Sequence, residues 1–343
     1  MKAAVVRRFG GPDVLRIMEI PEPTPEPGQI LLRVRAIGLN FADVFARFGV
    51  YPNTPKPPFV PGAECSGIVV RIGEGVSQFR VGERVMGFPR LGSHAEYVAL
   101  KAEYAIAIPE TMTYEEGAGF LATGITAYHA LVRLANLRRG ERLLVHAAAG
   151  GVGIATVQLG RSLGAEVIAT AGTEEKLNMA RQYGAHHAIN YSTADFAEEV
   201  LRFTAGHGAD VIVDSVGGKV FRKGWNILAP MGRYVILGVS GIAGRGGMNY
   251  VKAAWQFLHM LPVLPGTFIG ANKALMGFNL ATLKGAEAYL RQAADEILRF
   301  YSEGTLKPVV GKVFPFEEIV EAHRYLQTRR SKGKVVVSVP MQS

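Results

Sequence analysis

The spacing of hydrophobic and polar residues along the chain changes near residue 114. Before that point, short alternating stretches are separated by glycine and proline, which is typical of antiparallel strands joined by turns. The pattern therefore predicts a barrel-like domain of short strands. The expected elements are a hairpin over 1–20, strands over 30–37, 67–73, 81–88 and 95–100, and a helix over 40–48.

Beyond residue 114, apolar runs alternate with stretches of helical period. The expected strands are 143–146, 166–170, 188–190, 211–214 and 233–237, and the expected helices are 114–137, 152–163, 174–183, 196–204 and 220–228. Alternation of this kind predicts a parallel sheet that is covered by helices. The chain is thus expected to be an α/β protein with two different domains.

The C-terminal part returns to a mixed pattern that predicts strands and helices of the first domain. The expected elements are a helix over 283–301, a strand over 309–314, a helix over 316–327 and a strand over 334–339. We therefore assign residues 1–122 and 268–343 to the barrel-like domain. Residues 123–267 form the inserted domain, with its doubly wound parallel sheet.

A small-residue turn follows the first strand of that sheet. It approaches the template G-x-G-x-x-G, with Ala148, Gly150 and Gly153 at the three glycine positions and Gly151 and Val152 between the last two. Glycine lets the backbone approach a pyrophosphate, and the N-terminus of the following helix offers N–H groups and partial positive charge. The turn predicts dinucleotide binding; the alternative is an ordinary glycine-rich turn between a strand and a helix.

Composition narrows the function classes. The chain has 343 residues, 48% of them hydrophobic and 20% charged, as expected for a globular protein with more than one core. Its one cysteine, Cys65, excludes an internal disulfide and a multi-cysteine zinc site, and it fits a reducing, cytoplasmic location. The net charge of +9 comes from scattered residues, so we expect no nucleic-acid partner.

The least polar stretch, 253–271, is interrupted by Pro262, Pro265 and Gly266. Because a spanning helix needs about 20 continuous apolar residues, we expect no membrane span. The stretch is instead predicted to form a buried or interfacial helix followed by a turn.

Several segments together resemble the medium-chain dehydrogenase/reductase superfamily over essentially the whole chain, and within it the zinc-free quinone oxidoreductase branch. They are Gly38–Asp43, Pro61–Gly67, Gly82–Val85, Gly124–Tyr128, Ala148–Gly153 and Gly333–Val336. The segment 255–280 is similar to the subgroup of vesicle amine transport protein homologues. The resemblance implies a GroES-like antiparallel barrel domain, a Rossmann domain and a nicotinamide cofactor.

Zinc-binding members of that superfamily carry a histidine in a Gly-His-Glu motif, where this chain has Gly62-Ala63-Glu64. Their four-cysteine lobe is also missing, because 88–92 leads directly to Ala95. Tetrahedral zinc needs imidazole or thiolate ligands, so we predict no metal. This favours reduction of an electrophilic acceptor, such as a quinone or a conjugated enone, over alcohol oxidation.

The end of the second parallel strand indicates which cofactor is bound. An acidic residue that would bind the ribose of NAD is expected there, but the sequence continues with Gly172 and Thr173. Gly172 allows close backbone approach, Thr173 can donate a hydrogen bond and Lys176 offers a charge for phosphate. The resemblance implies that Tyr191 lies near the same phosphate. NADPH is favoured over NADH, with the alternative that Thr173 only caps a helix.

The resemblance also implies the residues of the reacting end. It places Asn40 at the nicotinamide face, Thr126 near the nicotinamide ribose and the backbone of Phe278 at the carboxamide. Leu237 and Val239 follow a strand at the carboxyl edge of the sheet, where ligands bind. Asn40 and Thr126 also have structural alternatives, a helix cap for Asn40 and a backbone-bonded hydroxyl for Thr126.

Tyr51 lies in a proline-rich loop and is expected either to wall the acceptor pocket, to donate a proton or only to pack. The candidate catalytic residues are thus Asn40, Tyr51 and Thr126. The histidines at 94, 129 and 146 are expected to be core or strand-end residues.

These observations predict an NADPH-dependent, zinc-independent reductase that transfers hydride to a quinone or conjugated enone in an interdomain cleft. One alternative is an enoyl-thioester reductase, and another is a cofactor-binding protein with a structural or interaction role. We also expect a homodimer. Its interface is predicted at the sheet edge that follows Leu237, over 238–247, and the helix 255–264 is expected either to cover the same junction or to line the acceptor pocket.

Overall fold

The computed structural model describes residues 1–244, 247–248, 254–255, 258, 260, 265–283 and 285–340. Its N-terminal part consists of short strands and one helix, as the alternating pattern predicts. The elements are β1 (Lys2–Val6), β2 (Leu15–Glu19), β3 (Gln29–Leu39), α1 (Phe41–Arg47), β4 (Cys65–Ile72), β5 (Arg84–Gly87), β6 (Tyr97–Lys101) and β7 (Ala105–Ala107). Short 3-10 helices are Pro12–Val14 and Ala102–Tyr104 here, and Ser240–Ile242, Leu280–Thr282 and Phe316–Glu318 further along the chain.

The middle of the chain forms the parallel sheet and its helices. The elements are α2 (Tyr114–Gly117), α3 (Leu121–Tyr128), a π-helix (His129–Leu134), β8 (Arg142–Val145), α4 (Gly151–Ser162), β9 (Glu166–Ala171), α5 (Glu174–Gln182), β10 (His187–Asn190), α6 (Phe196–Phe203), β11 (Ala209–Asp214), α7 (Lys219–Asn226), β12 (Leu228–Ile236), β13 (Ala243–Gly244), β14 (Gly247–Met248), α8 (Pro265–Ala271) and β15 (Ala274–Gly277).

Six strands pair in the order β10-β9-β8-β11-β12-β15, and every pairing is parallel. Strand β8 shows why this sheet is buried on both faces. Leu143 and Val145 belong to one hydrophobic cluster, while Leu144 between them belongs to another on the opposite face. A strand covered on both faces is a continuous apolar run. The predicted doubly wound Rossmann arrangement is confirmed.

The C-terminal elements are α9 (Glu287–Ser302), β16 (Val310–Pro315), α10 (Ile319–Gln327) and β17 (Lys334–Ser338). The second sheet has the order β16-β17-β3-β4-β5-β7, and β6 also pairs with β3. Strand β17 runs antiparallel to β3, with Val335 opposite Leu39. The C-terminal strands β16 and β17 therefore lie in the same sheet as β3, β4 and β5, and the fold combines a GroES-like sheet with a Rossmann sheet.

The prediction of one continuous helix over 114–137 is wrong. The segment is broken into α2, α3 and the π-helix, with a break at 118–120. Gly117 and Gly119 disfavour helix at this point. In addition, the backbone N–H of Ala122 donates to the Glu64 carboxylate at 2.8 Å, which gives α3 a separate start.

The expected sheet edge over 238–247 is also wrong. Strand β15 pairs with β12 instead, with Arg233 opposite Ala274 and Ile236 opposite Gly277. Strands β13 and β14 form a separate antiparallel pair. Strand β15 has the sequence Ala-Leu-Met-Gly, without a β-branched or aromatic residue, so the pattern did not reveal it. The parallel sheet thus extends beyond the expected domain boundary after residue 267, and the boundary after 122 falls inside α3.

Helix α8 occupies the end of the apolar stretch 253–271. Pro265 opens this helix rather than forming the expected turn, because proline is tolerated in the first helical turn. Most of the expected helix 255–264 lies outside the described residues. Where the chain is described, no helix is both long and apolar enough to cross a membrane.

Candidate functional site

A cavity of about 780 Å³ lies along the carboxyl edge of the parallel sheet. The residues at the ends of successive parallel strands line it, including His146 after β8, Gly172 after β9, Ser215 after β11 and Leu237 after β12. The barrel-like domain covers the opposite side with α1 and the loop that follows it. Ligands of open α/β sheets bind at this edge, so the cavity is the candidate site.

The structure brings most of the sequence-predicted site residues to this one cavity. Ala148 does not line it; it is buried in the core beneath the turn. Thr173 does not line it either, and its hydroxyl accepts a hydrogen bond from the Lys176 N–H, so it caps α5. The sequence-predicted residues that do line the cavity are Asn40, Tyr51, Thr126, Gly150, Gly151, Val152, Gly153, Gly172, Lys176, Tyr191, Leu237, Val239 and Phe278.

The turn before α4 has the shape of an anion site. Ala147 adopts a left-handed φ of 52°, which turns the chain sharply after β8. A Cβ on Gly153 would lie 2.3 Å from the Ala147 carbonyl oxygen, so only glycine fits there. Helix α4 begins at Gly151, and the first amides of a helix have no acceptor within it. The turn therefore offers N–H groups to a negatively charged ligand.

The segment before β17 is hydrogen-bonded to this turn. The Gly333 N–H donates to the Ala149 carbonyl at 2.7 Å, and Arg329, Ser331 and Gly333 line the cavity. A Cβ on Gly333 would lie 2.4 Å from the Val309 carbonyl oxygen, and its φ is 60°. None of these three residues was predicted from the sequence to line the site. The Gly333-Lys334 pair, which lies inside one of the recognised motifs, could have pointed to this wall.

One end of the cavity is cationic. Lys176 donates to the Arg329 carbonyl oxygen at 2.6 Å, and burial lowers the pKa of Lys176. A Cβ on Gly172 would lie 2.8 Å from the Tyr191 hydroxyl, so glycine lets that ring approach the end of β9. This end can accept a phosphate group.

The acidic residues next to Lys176 are engaged by other cations. Glu175 forms an ion pair with Lys332, and Glu174 lies 3.6 Å from Arg181. Among the described residues that line the cavity there is no aspartate or glutamate. Repulsion of an anionic ligand by these carboxylates is therefore reduced.

Asn40 lies where β3 ends and α1 begins, at the other end of the cavity. Its side-chain oxygen accepts a hydrogen bond from the Lys334 ammonium at 2.8 Å, and its amide nitrogen donates to Glu64 at 3.2 Å. Its backbone N–H donates to the Asp43 carboxylate at 2.7 Å, which begins the helix. Asn40 thus serves both as a helix cap and as a cavity residue, and its amide is fixed by two buried charges.

Asp43 belongs to a second buried polar group behind Asn40. Burial raises the pKa of Asp43 to about 7, although the Asn40 N–H and Lys334 oppose the shift. His94 lies 3.9 Å from Asp43, and burial lowers the pKa of His94 to about 3. The rings of His94 and His323 meet edge to face at 5.1 Å. Within the described chain, none of their four ring nitrogens has a hydrogen-bond partner.

Tyr51 closes the cavity between the two domains. Its hydroxyl donates to the Asn279 side-chain oxygen at 2.9 Å, and burial raises its pKa, so it is protonated at neutral pH. Phe278 lies next to Asn279 and stacks on His129, with ring centroids 3.8 Å apart. Burial lowers the pKa of His129 to about 4, which makes it a neutral packing partner.

The residues around the cavity are poor metal ligands. In the described part of the chain, no group of three or more histidine, cysteine, aspartate or glutamate side chains could hold a metal ion. Ala63 presents an apolar side chain to the cavity wall. Cys65 is fully buried, and burial raises the pKa of its thiol.

Comparison with known protein families gives two matches. Residues 26–110 match the family described as "Alcohol dehydrogenase GroES-like domain", and residues 183–337 match the family described as "Zinc-binding dehydrogenase". The two matches cover parts of the barrel-like domain and of the parallel-sheet domain with the returning C-terminal segment.

Individual relatives align over almost the whole chain. The "Synaptic vesicle membrane protein VAT-1 homolog" of Rattus norvegicus is 36% identical over 98% of this chain and 84% of its own length. The quinone oxidoreductase of Thermus thermophilus, solved also with NADPH, is 38% identical with a TM-score of 0.81, over 98% of this chain and all of that one. The CurK enoyl reductase is 32% identical with a TM-score of 0.82, over 99% of both chains. The chain therefore belongs to the medium-chain dehydrogenase/reductase superfamily, in the branch that includes quinone oxidoreductases and VAT-1 homologues.

Proposed function

We propose that this protein is an NADPH-dependent reductase that transfers hydride to a quinone or conjugated enone without a metal ion. The observation that carries the proposal is the polarity of one continuous cavity. Its described lining includes two cations at one end, Lys176 and Arg329, and no carboxylate, while the ammonium of Lys334 is paired with Glu64 beside Asn40. Its other end is apolar, with Phe41, Phe45, Val50, Phe88 and Leu280 in the wall.

The chain's own residues fit a phosphorylated dinucleotide. The turn at Gly150–Gly153 leaves room for a pyrophosphate at the start of α4. Lys176 and Arg329 would hold the extra phosphate on the adenosine ribose, next to Gly172 and Tyr191. The Thermus thermophilus relative was solved with NADPH, which supports the same choice here.

At the reacting end, Asn40 and Thr126 would position the nicotinamide, which supplies a hydride when NADPH is bound. The apolar wall excludes water and holds a flat acceptor against the nicotinamide ring, so proximity provides most of the acceleration. The protonated Tyr51 hydroxyl, which donates to Asn279 in the structure, can donate a hydrogen bond to the acceptor carbonyl once it turns away from Asn279. For a quinone no further acid is needed, because the hydroquinone anion takes a proton from water.

A second candidate is reduction of the C=C bond of an enoyl thioester. The similarity to the CurK enoyl reductase favours it. A conjugated enone and an enoyl thioester accept hydride at the same kind of carbon, so the cavity serves either. A basic rim on the cavity that binds the phosphates of coenzyme A would distinguish an enoyl-thioester reductase from an enone reductase.

Metal independence is part of the proposal. Ala63 lines the cavity and offers no donor, and Cys65, at the start of β4, is a buried, protonated thiol. Elemental analysis of the purified protein is expected to find no stoichiometric zinc, and chelators should leave turnover unchanged. One zinc per chain would overturn this part.

We further propose a cytoplasmic location, because the only cysteine is buried and reduced. The name of the VAT-1 relative refers to a vesicle membrane, so the location of this protein is to be tested by experiment. Cell fractionation is expected to recover the protein in the soluble fraction, and recovery with membranes would contradict the proposal.

The experiment that tests the activity is a screen of NADPH oxidation against a quinone series, an enone series and enoyl-CoAs. We expect turnover with at least one quinone or enone and a preference for NADPH over NADH. Turnover with enoyl-CoAs alone would favour the second candidate. Tight NADPH binding without oxidation by any acceptor would favour a cofactor-binding protein with a structural or interaction role.

A further inference from the structure

A buried ion pair lies beside Asn40, below the reacting end of the cavity. The Lys334 ammonium lies 2.6 Å from the Glu64 carboxylate, and the two side chains are 5% and 0% exposed. We propose that Lys334 is a positioning residue: with Glu64 it fixes the orientation of the Asn40 amide and holds Asn40 in register with the phosphate turn.

The orientation of Asn40 follows from the chemistry of its neighbours. An ammonium group can only donate hydrogen bonds, and an ionised carboxylate can only accept them. The Asn40 oxygen therefore faces Lys334, and its amide nitrogen faces Glu64 at 3.2 Å and the Gly38 carbonyl at 3.3 Å. A flipped amide would set its NH2 group against the ammonium and its oxygen against two acceptors. The ion pair thus selects one of two otherwise similar rotamers.

The same pair also fixes the helix that carries Thr126. The second Glu64 oxygen accepts a hydrogen bond from the Ala122 N–H at 2.8 Å, at the start of α3. A carboxylate at a helix N-terminus is favourable because it meets the positive end of the helix dipole. Glu64 therefore joins Asn40 to the start of the helix that carries Thr126, and these two residues are assigned to the nicotinamide end.

The aliphatic part of Lys334 lies in a channel that glycines keep open. A Cβ on Gly119 would lie 2.9 Å from its Cγ, one on Gly38 would lie 3.0 Å from its Cε, and one on Gly151 would lie 3.5 Å from its Cδ. Gly151 belongs to the phosphate turn, and Gly333, just before Lys334, is hydrogen-bonded to the same turn. One side chain thus spans from the phosphate turn to Asn40.

This inference rests on the proposed function for its effect on catalysis but not for its effect on Asn40. If the amide orients the nicotinamide, loss of the pair should slow hydride transfer more than it weakens NADPH binding. The phosphate turn and the cationic end would still hold the rest of the cofactor.

Two variants separate positioning from folding. Lys334→Met removes the ammonium but leaves the buried Glu64 carboxylate without its cation, which is destabilising in general. The double variant Glu64→Gln with Lys334→Met removes both charges and keeps the side-chain volumes close to the originals. Lys273→Met is the matched control, because Lys273 is also partly buried and donates to a carbonyl, that of Trp225, outside this cavity.

The first measurement uses protein labelled with 15N-asparagine and no added nucleotide. The Asn40 side-chain amide signal, assigned by its loss in Asn40→Ala, is expected to shift or broaden in the double variant and to stay unchanged in Lys273→Met. An unchanged Asn40 signal in the double variant would overturn the positioning role, whatever the protein catalyses.

The second measurement compares NADPH affinity, by fluorescence titration, with the single-turnover rate of hydride transfer. In the double variant we expect affinity within about twofold of the wild type and a rate at least about tenfold lower. A rate equal to that of the wild type would overturn the role of Lys334 in the reaction. Wild-type protein that oxidises no NADPH would contradict the proposed function, while the amide signal would still decide whether Lys334 positions Asn40.

Discussion

The backbone N–H of Gly333 donates a hydrogen bond to the carbonyl of Ala149 at 2.7 Å. This bond joins the last strand of the GroES-like sheet to the phosphate turn of the Rossmann sheet. The cavity is therefore built at a junction that this bond holds together, and Gly333 and Ala149 both line it.

Replacing Lys176 with alanine should weaken NADPH binding and hardly affect NADH. Lys176 lines the cationic end and donates to the Arg329 carbonyl, so its ammonium is already held beside the expected phosphate. A lost hydrogen bond to a charged group costs about 1.5–3 kcal/mol. Isothermal titration with both cofactors measures the difference. Lys101→Ala, on the surface of the other domain, is the control, and equal losses for both cofactors would show that Lys176 does not contact the phosphate.

Replacing Gly151 with valine should abolish NADPH binding without unfolding the protein. A Cβ at this position would lie 3.0 Å from the Thr123 methyl carbon, and the branched side chain would then fill the start of α4, where the pyrophosphate is expected. Titration measures binding, and circular dichroism checks the fold. Gly11→Ala is a suitable control because a Cβ there has nothing within 4 Å. Normal NADPH affinity in Gly151→Val would mean that the turn is not the phosphate site.

The contribution of Asp43 to the free energy of unfolding should fall as pH rises from about 4 to 7. Its folded pKa of about 7 lies above its ordinary value of 3.8, so the folded chain retains a proton that the unfolded chain has lost. Its stabilising contribution is complete below pH 4 and is lost as pH rises through 7. A folded pKa that lies one pH unit above the unfolded pKa corresponds to about 1.4 kcal/mol.

The measurement is the free energy of unfolding by urea at several pH values for the wild type and Asp43→Asn. The buried His94, whose pKa burial lowers to about 3, has the opposite dependence, but it is present in both proteins and cancels in the difference. The exposed Asp295→Asn serves as the control. If the difference in unfolding free energy between the wild type and Asp43→Asn does not vary with pH, the raised pKa of the buried Asp43 is contradicted.

We expect a homodimer that forms through strand β15. Among the described residues, β15 pairs only with β12, so its outer edge is available to a second copy. Ile269 and Met231, each 79% exposed, lie on this side, where the Met231 N–H donates to the Asn272 carbonyl. Sedimentation at micromolar concentration should give twice the chain mass of 37.0 kDa. Ile269→Glu should weaken the dimer and Val81→Glu should not; a wild-type monomer would contradict the expectation.

The sequence was most informative where a motif and the elements around it lie close together in the chain. The strand, small-residue turn and helix around Gly150 lie within a short segment, so their pattern predicted both the fold and the candidate phosphate site. The mismatch at Ala148 does not change the shape of the turn, because the left-handed residue of the turn is Ala147 and the glycine that sterics require is Gly153.

Signals that depend on distant residues were missed. Lys334 and Glu64 are 270 positions apart, and the pairing of both β17 and β4 with β3 brings them together. Arg329 reaches the cationic end for the same reason. The break before α3 depends on a carboxylate from another segment, which no helical period can reveal.

The most direct test of the account is stopped-flow mixing of the protein and NADPH with a quinone and with an enone, and the same experiment with NADPH deuterated at the transferred position. If the protein transfers hydride from NADPH, we expect single-turnover oxidation of NADPH, a primary isotope effect and deuterium in the reduced enone. We also expect the same rate after treatment with a chelator. Oxidation that requires added zinc, or reduction of the enone without deuterium from the cofactor, would contradict the account.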